Sequence, residues 1–272
     1  MKINRGFILI FCLIAYIITI SIAFGRVLNF FNLNLSLMWL FIISQTLSFL
    51  VPFLFYLLIT KQNIKNVLHL KMLSLNQILL TITITFLSLP IAFFLSALAG
   101  MFSPNQVADI MITASAVYSF PLMIFAVAVT PSILEEIVFR GAIYKEFESF
   151  PIFYSSILNG FFFGLIHMNF QQFFYAFALG IVFSYMVYYS RSILAPILAH
   201  FIINGLNVSL VFIASQLILL ENHYLYYAID QIDYQDVNLW SVVLILGIIS
   251  LFCLPIIVFL LRKLKEKTPD DI

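Results

Sequence analysis

Charge is scarce in this chain: 9% of its 272 residues are Asp, Glu, Lys or Arg, against about a quarter in an ordinary soluble domain. With 63% of its residues hydrophobic, a soluble fold of this length would leave much apolar surface in water, so its solvent is expected to be lipid. Cysteine is nearly absent as well. Cys12 and Cys253 lie far apart in apolar runs, which argues against a disulfide framework or a cysteine-based zinc site. A net charge of +1 offers little to a phosphate backbone, so no nucleic acid is expected as a partner. No internal repeat and no Pro/Gly/Ser-rich linker stands out. Residues 1–272 therefore read as a single transmembrane domain.

Long apolar runs dominate instead. A membrane span needs about 20 apolar residues, and eight candidates follow along the chain: about 6–24, 36–59, 78–101, 117–139, 152–170, 172–190, 193–219 and 239–261. The expected fold is an all-α polytopic membrane protein, a bundle of about eight transmembrane helices embedded in the bilayer of the cell membrane. The first run follows Lys2 and Arg5 and imitates a secretory signal. It is longer than a usual signal core, and Ser21-Ile-Ala23 is a weak cleavage site, so it is expected to stay as a span. Nothing in the sequence bears on oligomeric state.

Basic residues concentrate on the cytoplasmic side of a membrane protein. Eight spans with both termini cytoplasmic place Lys61, Lys65, Lys71, Arg140, Lys145, Arg191, Arg262 and Lys263 inside and Arg26 alone outside. The longest outer loop then carries Glu221, Asp230, Asp233 and Asp236, together with His223 and an aromatic stretch from Tyr224 that suits the membrane interface. His69 falls in a cytoplasmic loop and reads as solvated. Gly160 with Gly164, and Ala176 with Gly180, form small-xxx-small pairs that let helices approach closely.

Against this background three polar clusters stand out, each in an apolar segment: Glu135-Glu136 with Arg140, then Phe163 with His167, then His200 with Asn204. Ionisable groups inside a membrane are costly and tend to line cavities or to mark proton or substrate chemistry. Glu136 and Arg140 are four residues apart on one helix face and can pair. Glu135, about 100° around the helix, stays free for other work. His200 and Asn204 share a face and could together hold a developing oxyanion. Each cluster also has a plain structural reading. The first could be the cytoplasmic end of a span with its charges snorkelling to water, and the others could be interhelical hydrogen bonds. All three structural readings would have to hold at once, which favours a functional site.

The order Glu-Glu-x-x-x-Arg, Phe-x-x-x-His, His-x-x-x-Asn resembles the CPBP family of intramembrane endopeptidases. That family includes the type II CAAX prenyl endopeptidases and the bacterial Abi proteins of bacteriocin processing and immunity. Phe139-Arg140-Gly141 resembles the usual ending of the first motif, and the resemblance spans about residues 117–210. It implies a peptide or protein substrate and catalytic roles for four residues. Glu135 would activate water, His167 would orient it, and His200 with Asn204 would form the oxyanion hole. Glu136 and Arg140 would support them. No cofactor is expected, although two His and a Glu also match a catalytic zinc set and that reading stays open; no His-Glu-x-x-His motif supports it. Two rivals remain. A proton-coupled transporter would carry inverted repeats, which are not seen here. A non-catalytic immunity protein would act by binding alone.

Overall fold

The computed structural model describes residues 5–30, 35–103, 106–220 and 239–265. Glu221, His223, the aromatic and acidic outer loop and the last lysine of the tail lie outside the described residues. In the bilayer core no water can satisfy backbone N–H and C=O groups, so an apolar chain must bond to itself as helix. Among the described residues all regular structure is helical. We number the helices α1 (Arg5–Phe30), α2 (Leu37–Thr60), α3 (Ile64–Val67), α4 (Leu75–Gly100), α5 (Gln106–Ser115), α6 (Phe120–Phe147), α7 (Ile152–Leu165), α8 (Phe170–Ser190), α9 (Leu194–Leu220) and α10 (Leu239–Lys263).

Seven of these, all but α3, α5 and α7, are long and apolar enough to cross a membrane. The eight apolar segments of the sequence are all present, but the fifth is cut short. α7 has 14 residues, about 21 Å of helix at 1.5 Å per residue, against a hydrocarbon core of about 30 Å. It turns at Met168, whose φ is +48°, into Asn169, whose side chain caps α8 by accepting from the Gln171 and Gln172 amides at 2.9 and 3.1 Å. α6 departs the other way, running on to Phe147 instead of stopping near 139. A short α7 and a long α6 together bring His167 toward the level of Glu135. The ten-residue α5 was not expected from the span pattern.

Small residues set how closely the helices pack. A Cβ on Gly160 would lie 2.7 Å from the Phe177 carbonyl, one on Gly164 2.8 Å from that of Phe173, and one on Gly180 2.7 Å from the Gly160 Cα. The two small-residue pairs of the sequence therefore face each other and zip α7 onto α8. One apolar cluster joins α1, α2, α6 and α7 through residues such as Ile17, Phe53, Phe139 and Phe163. A second joins α4, α8, α9 and α10 through Ile84, Phe183, Ala199 and Ile257. α6 is the hub: 56% of its spanning window is buried, against 22% to 44% for the other long helices.

The loop before α4 is less exposed than its sequence suggests. His69 takes φ +45°, its carbonyl accepts from the Ile193 amide at 3.4 Å, and its ring lies edge-on to Tyr144 with centroids 6.2 Å apart. Its side chain is only 15% exposed, with Nε2 3.8 Å from Glu148 Oε1. His69 is thus packed rather than solvated, because the 190–194 turn and α6 close over it.

Gly160→Ala is expected to lower stability by about 1–3 kcal/mol, read as the melting temperature in detergent. Gly205→Ala, where a Cβ meets nothing within 4 Å, should leave it level or slightly raised. Burial pulls the His69 pKa below its ordinary value, against the opposing charge of Glu148. The folded state then holds the neutral ring more tightly than the unfolded chain does. That part of the stability is complete above about pH 6.5 and is lost as the pH falls below it. The melting temperature should drop between about pH 7.5 and about pH 5.5, and drop less in His69→Gln; equal drops in the two proteins would contradict the assignment.

Candidate functional site

The polar residues of the site are carried by a helix whose winding is uneven. In α6 the stretches Ile124–Val129 and Ile137–Ile143 are wound with i→i+5 hydrogen bonds, on either side of an α-helical Thr130–Glu136. α2 has a similar stretch at Thr46–Leu50. Such wide turns tilt carbonyls out of the helix, and in lipid these need other donors. Side chains supply them in all three stretches. Asn204 Nδ2 donates to the Val127 carbonyl at 3.2 Å, Asn159 Nδ2 to that of Phe139 at 2.6 Å, and the Tyr16 hydroxyl to that of Leu47 at 3.2 Å. The helices bearing the site residues are thus pinned to one another at their irregular turns.

Arg140 is fully buried. Its Nη1 lies 3.1 Å from Glu136 Oε1, closing the expected ion pair, and its Nη2 donates to the Gly180 carbonyl at 3.2 Å. The guanidinium carbon sits 4.3 Å from the ring centre of Phe163 and 5.2 Å from that of Phe183. A Cβ at Gly180 would come within 3.3 Å of Nη2, so the absence of a side chain there gives the guanidinium its room. The same Glu136 oxygen lies 2.9 Å from His200 Nδ1. Since a carboxylate only accepts, Nδ1 carries the hydrogen and donates.

Glu135 points elsewhere and is also buried. Its Oε1 accepts from Gln45 Nε2 at 3.2 Å. Its Oε2 lies 4.0 Å from His200 Nε2 and has no hydrogen-bond partner. The two adjacent carboxylates thus meet different partners, Glu136 being tied to Arg140 and His200 and Glu135 to the neutral Gln45, while each keeps an Oε2 without a hydrogen bond. His167 Nδ1 lies 2.7 Å from the Phe163 carbonyl. A carbonyl likewise only accepts, so Nδ1 holds the hydrogen and Nε2 of the neutral ring keeps its lone pair. His167 follows the end of α7 and His200 lies on α9. Phe163 stands between them, edge-on to His167 at 5.2 Å and to His200 at 5.8 Å.

Glu135, Glu136, Arg140 and His200 therefore form one connected cluster, with His167 beside it. Asn204 is different: its amide is engaged by the α6 backbone, about two turns before Glu135. Gln45, Gly180, Asn159 and Phe183 belong to the cluster's surroundings; Gly180 was singled out from the sequence for helix packing alone, and the other three were not singled out. Gln45 carried the same signal as Asn204, a carboxamide in the middle of an apolar run. Gly180 and Phe183 carried none, because nothing local marks a glycine carbonyl or a phenyl ring as an arginine's partner. Among the described residues no three His, Cys, Asp or Glu side chains form a group able to hold a metal ion.

Residues 117–206 match the family of Rce1-like type II CAAX prenyl endopeptidases, a segment that holds all six candidate residues. Over 89 residues the chain is 29% identical to the Bacillus subtilis (strain 168) protein named "Putative membrane peptidase YdiL". That stretch is 32% of this chain and 36% of the relative, so the chain matches about a third of the relative's length. No solved structure matches the chain. Both matches bear out the resemblance to the CPBP family over this central segment, and with the seven long apolar helices they make the chain a multi-pass membrane protein.

Arg140→Met is expected to cost about 3–5 kcal/mol, since it strands Glu136 without its charge partner in a dry site. Thermal unfolding in detergent measures it. Arg140→Lys should recover only part of the loss, because one ammonium lacks the planar fork that spans Glu136 and the Gly180 carbonyl.

Proposed function

We propose that this chain is an intramembrane endopeptidase of the cell membrane that hydrolyses a peptide bond with water activated by Glu135. The observation that supports the reading most directly is the state of that carboxylate. It is buried, held by Gln45 through Oε1, and free at Oε2 beside His200. The family match and the named relative point to the same activity class.

In this mechanism water gives a proton to Glu135 Oε2 while its oxygen attacks the carbonyl carbon of the peptide. His167 Nε2 accepts the second hydrogen of that water and so orients it. Negative charge then develops on the carbonyl oxygen. Asn204 supplies one donor that stabilises it, turning its amide from the Val127 carbonyl as the substrate arrives, and the doubly protonated His200 supplies the other from Nε2 while its Nδ1–H stays on Glu136. Collapse of the tetrahedral species breaks the C–N bond, and the proton held by Glu135 passes to the leaving amine. Glu136 and Arg140 keep the His200 ring in place throughout, Glu136 by fixing Nδ1–H and Arg140 by neutralising Glu136. No step runs through a metal. The substrate is a peptide or protein segment reaching the site from the cytoplasmic side, where the basic loops are expected.

Cleavage of quenched peptides by the protein in liposomes tests this. One reporter ends in an S-farnesylated Cys-aliphatic-aliphatic-X sequence and the other is its unprenylated twin. Glu135→Gln should lower turnover by about 10²–10⁴-fold, and Asn204→Ala by about 10²–10³-fold. Cleavage unchanged in Glu135→Gln would refute the catalytic reading and leave the binding-only alternative. Loss of activity with chelator, restored by zinc, would refute the metal-free mechanism.

A further inference from the structure

Among the described residues the hydrogen bonds to the Glu135 carboxylate have a single donor, Gln45 on α2. The two oxygens of the carboxylate are therefore unequal, Oε1 being occupied and Oε2 free. A carboxylate cannot donate, so the NH2 end of the Gln45 amide must face it. The planar amide then turns its own Oε1 away, and that atom is buried without a partner.

The backbone that carries Gln45 is held firmly. Gln45 immediately precedes the wide turn Thr46–Leu50, and the carbonyl of Leu47 in that turn is taken by Tyr16 of α1. The Thr46 hydroxyl donates back to the Ile42 carbonyl at 2.7 Å. Phe49, in the same turn, packs against Phe139 of α6 with ring centroids 6.4 Å apart. The amide is thus presented from a segment anchored on both α1 and α6, rather than from the end of a loosely held side chain.

We propose that Gln45 is a positioning residue for Glu135: its amide occupies Oε1, which makes Oε2 the oxygen that takes the proton from water and keeps the carboxylate turned toward His200. This rests on the reading of Glu135 as the base. The geometry suits both halves of the reaction. When Oε2 carries the proton, Oε1 becomes the carbonyl oxygen of a carboxylic acid, which still accepts from the amide. Gln45 therefore holds the same orientation while the proton is taken up and while it is delivered to the leaving amine. Glu136, Arg140, His200, His167 and Tyr175, the other titratable and charged groups around Glu135, leave Oε1 to Gln45.

Gln45→Met, close in size but without a donor, and Gln45→Asn, one methylene too short to reach, provide the test. With the farnesylated reporter in liposomes, both should lower kcat by about 10- to 100-fold, the value of one hydrogen bond to a charged group, with KM within about twofold. The carboxylate stretch of Glu135, isolated by subtracting the infrared spectrum of Glu135→Gln, should shift in both variants while their melting temperatures stay close to that of the parent. An unshifted band would overturn the proposal whatever the turnover. So would Gln45→Asn or Gln45→Met cleaving at the parent rate while Glu135→Gln is inactive. Cleavage surviving in Glu135→Gln would instead remove the base reading on which the proposal stands.

Discussion

A guanidinium buried in a lipid-embedded bundle has to be satisfied entirely by protein, and most of this structure is arranged around that constraint. Arg140 sets its two terminal nitrogens on one carboxylate and one backbone carbonyl and lies against three aromatic rings, with Nε left without a hydrogen-bond partner. These come from α6, α7 and α8, so the three helices cannot shift without exposing an uncompensated charge. Phe139 and Phe163 belong to one apolar cluster and Phe183 to the other. Arg140 therefore sits between two of the three apolar clusters among the described residues, and what holds it also holds those two together.

The same charge orders the chemistry. By taking up Glu136 it fixes the acceptor for His200 Nδ1–H, which orients the ring and turns Nε2 toward Glu135. The neighbouring carboxylate is left outside this pairing, anchored only by Gln45. Two adjacent glutamates on one helix thus meet different partners, Glu136 a cation and an imidazole and Glu135 a neutral amide. The difference arises from about 100° of rotation between consecutive residues and from where the neighbouring helices place their donors. An unpartnered carboxylate oxygen in a dry interior is expensive, and such expense is more often tolerated at sites of chemistry than elsewhere.

The wide turns in α2 and α6 serve the same end. An unbroken α-helix spends its carbonyls internally and offers few handles to its neighbours. At the turns around Leu47, Val127 and Phe139 it offers one each, and Tyr16, Asn204 and Asn159 take them. α6 is thereby tied to α7 beside Arg140 and to α9 about two turns before Glu135, and α2 is tied to α1 just beyond Gln45. Precision in a lipid-embedded site, where apolar packing gives little drive for helix association, comes here from backbone carbonyls released at chosen places.

The helical architecture, the approximate ends of the apolar segments, the Glu136–Arg140 pair and the candidate residues were legible in the sequence, because each depends on local facts: run length, residue type and spacing along one helix. Even the α7–α8 contact could be anticipated from glycines four residues apart. The early turn of α7, the wide turns of α6, the packed state of His69 and the partners of Arg140 and Glu135 could not. Each depends on atoms brought close from segments distant in sequence: Gly180 lies 40 positions from Arg140 and Gln45 lies 90 from Glu135. Helical periodicity places a side chain on a face, but only the packed bundle decides what that face meets.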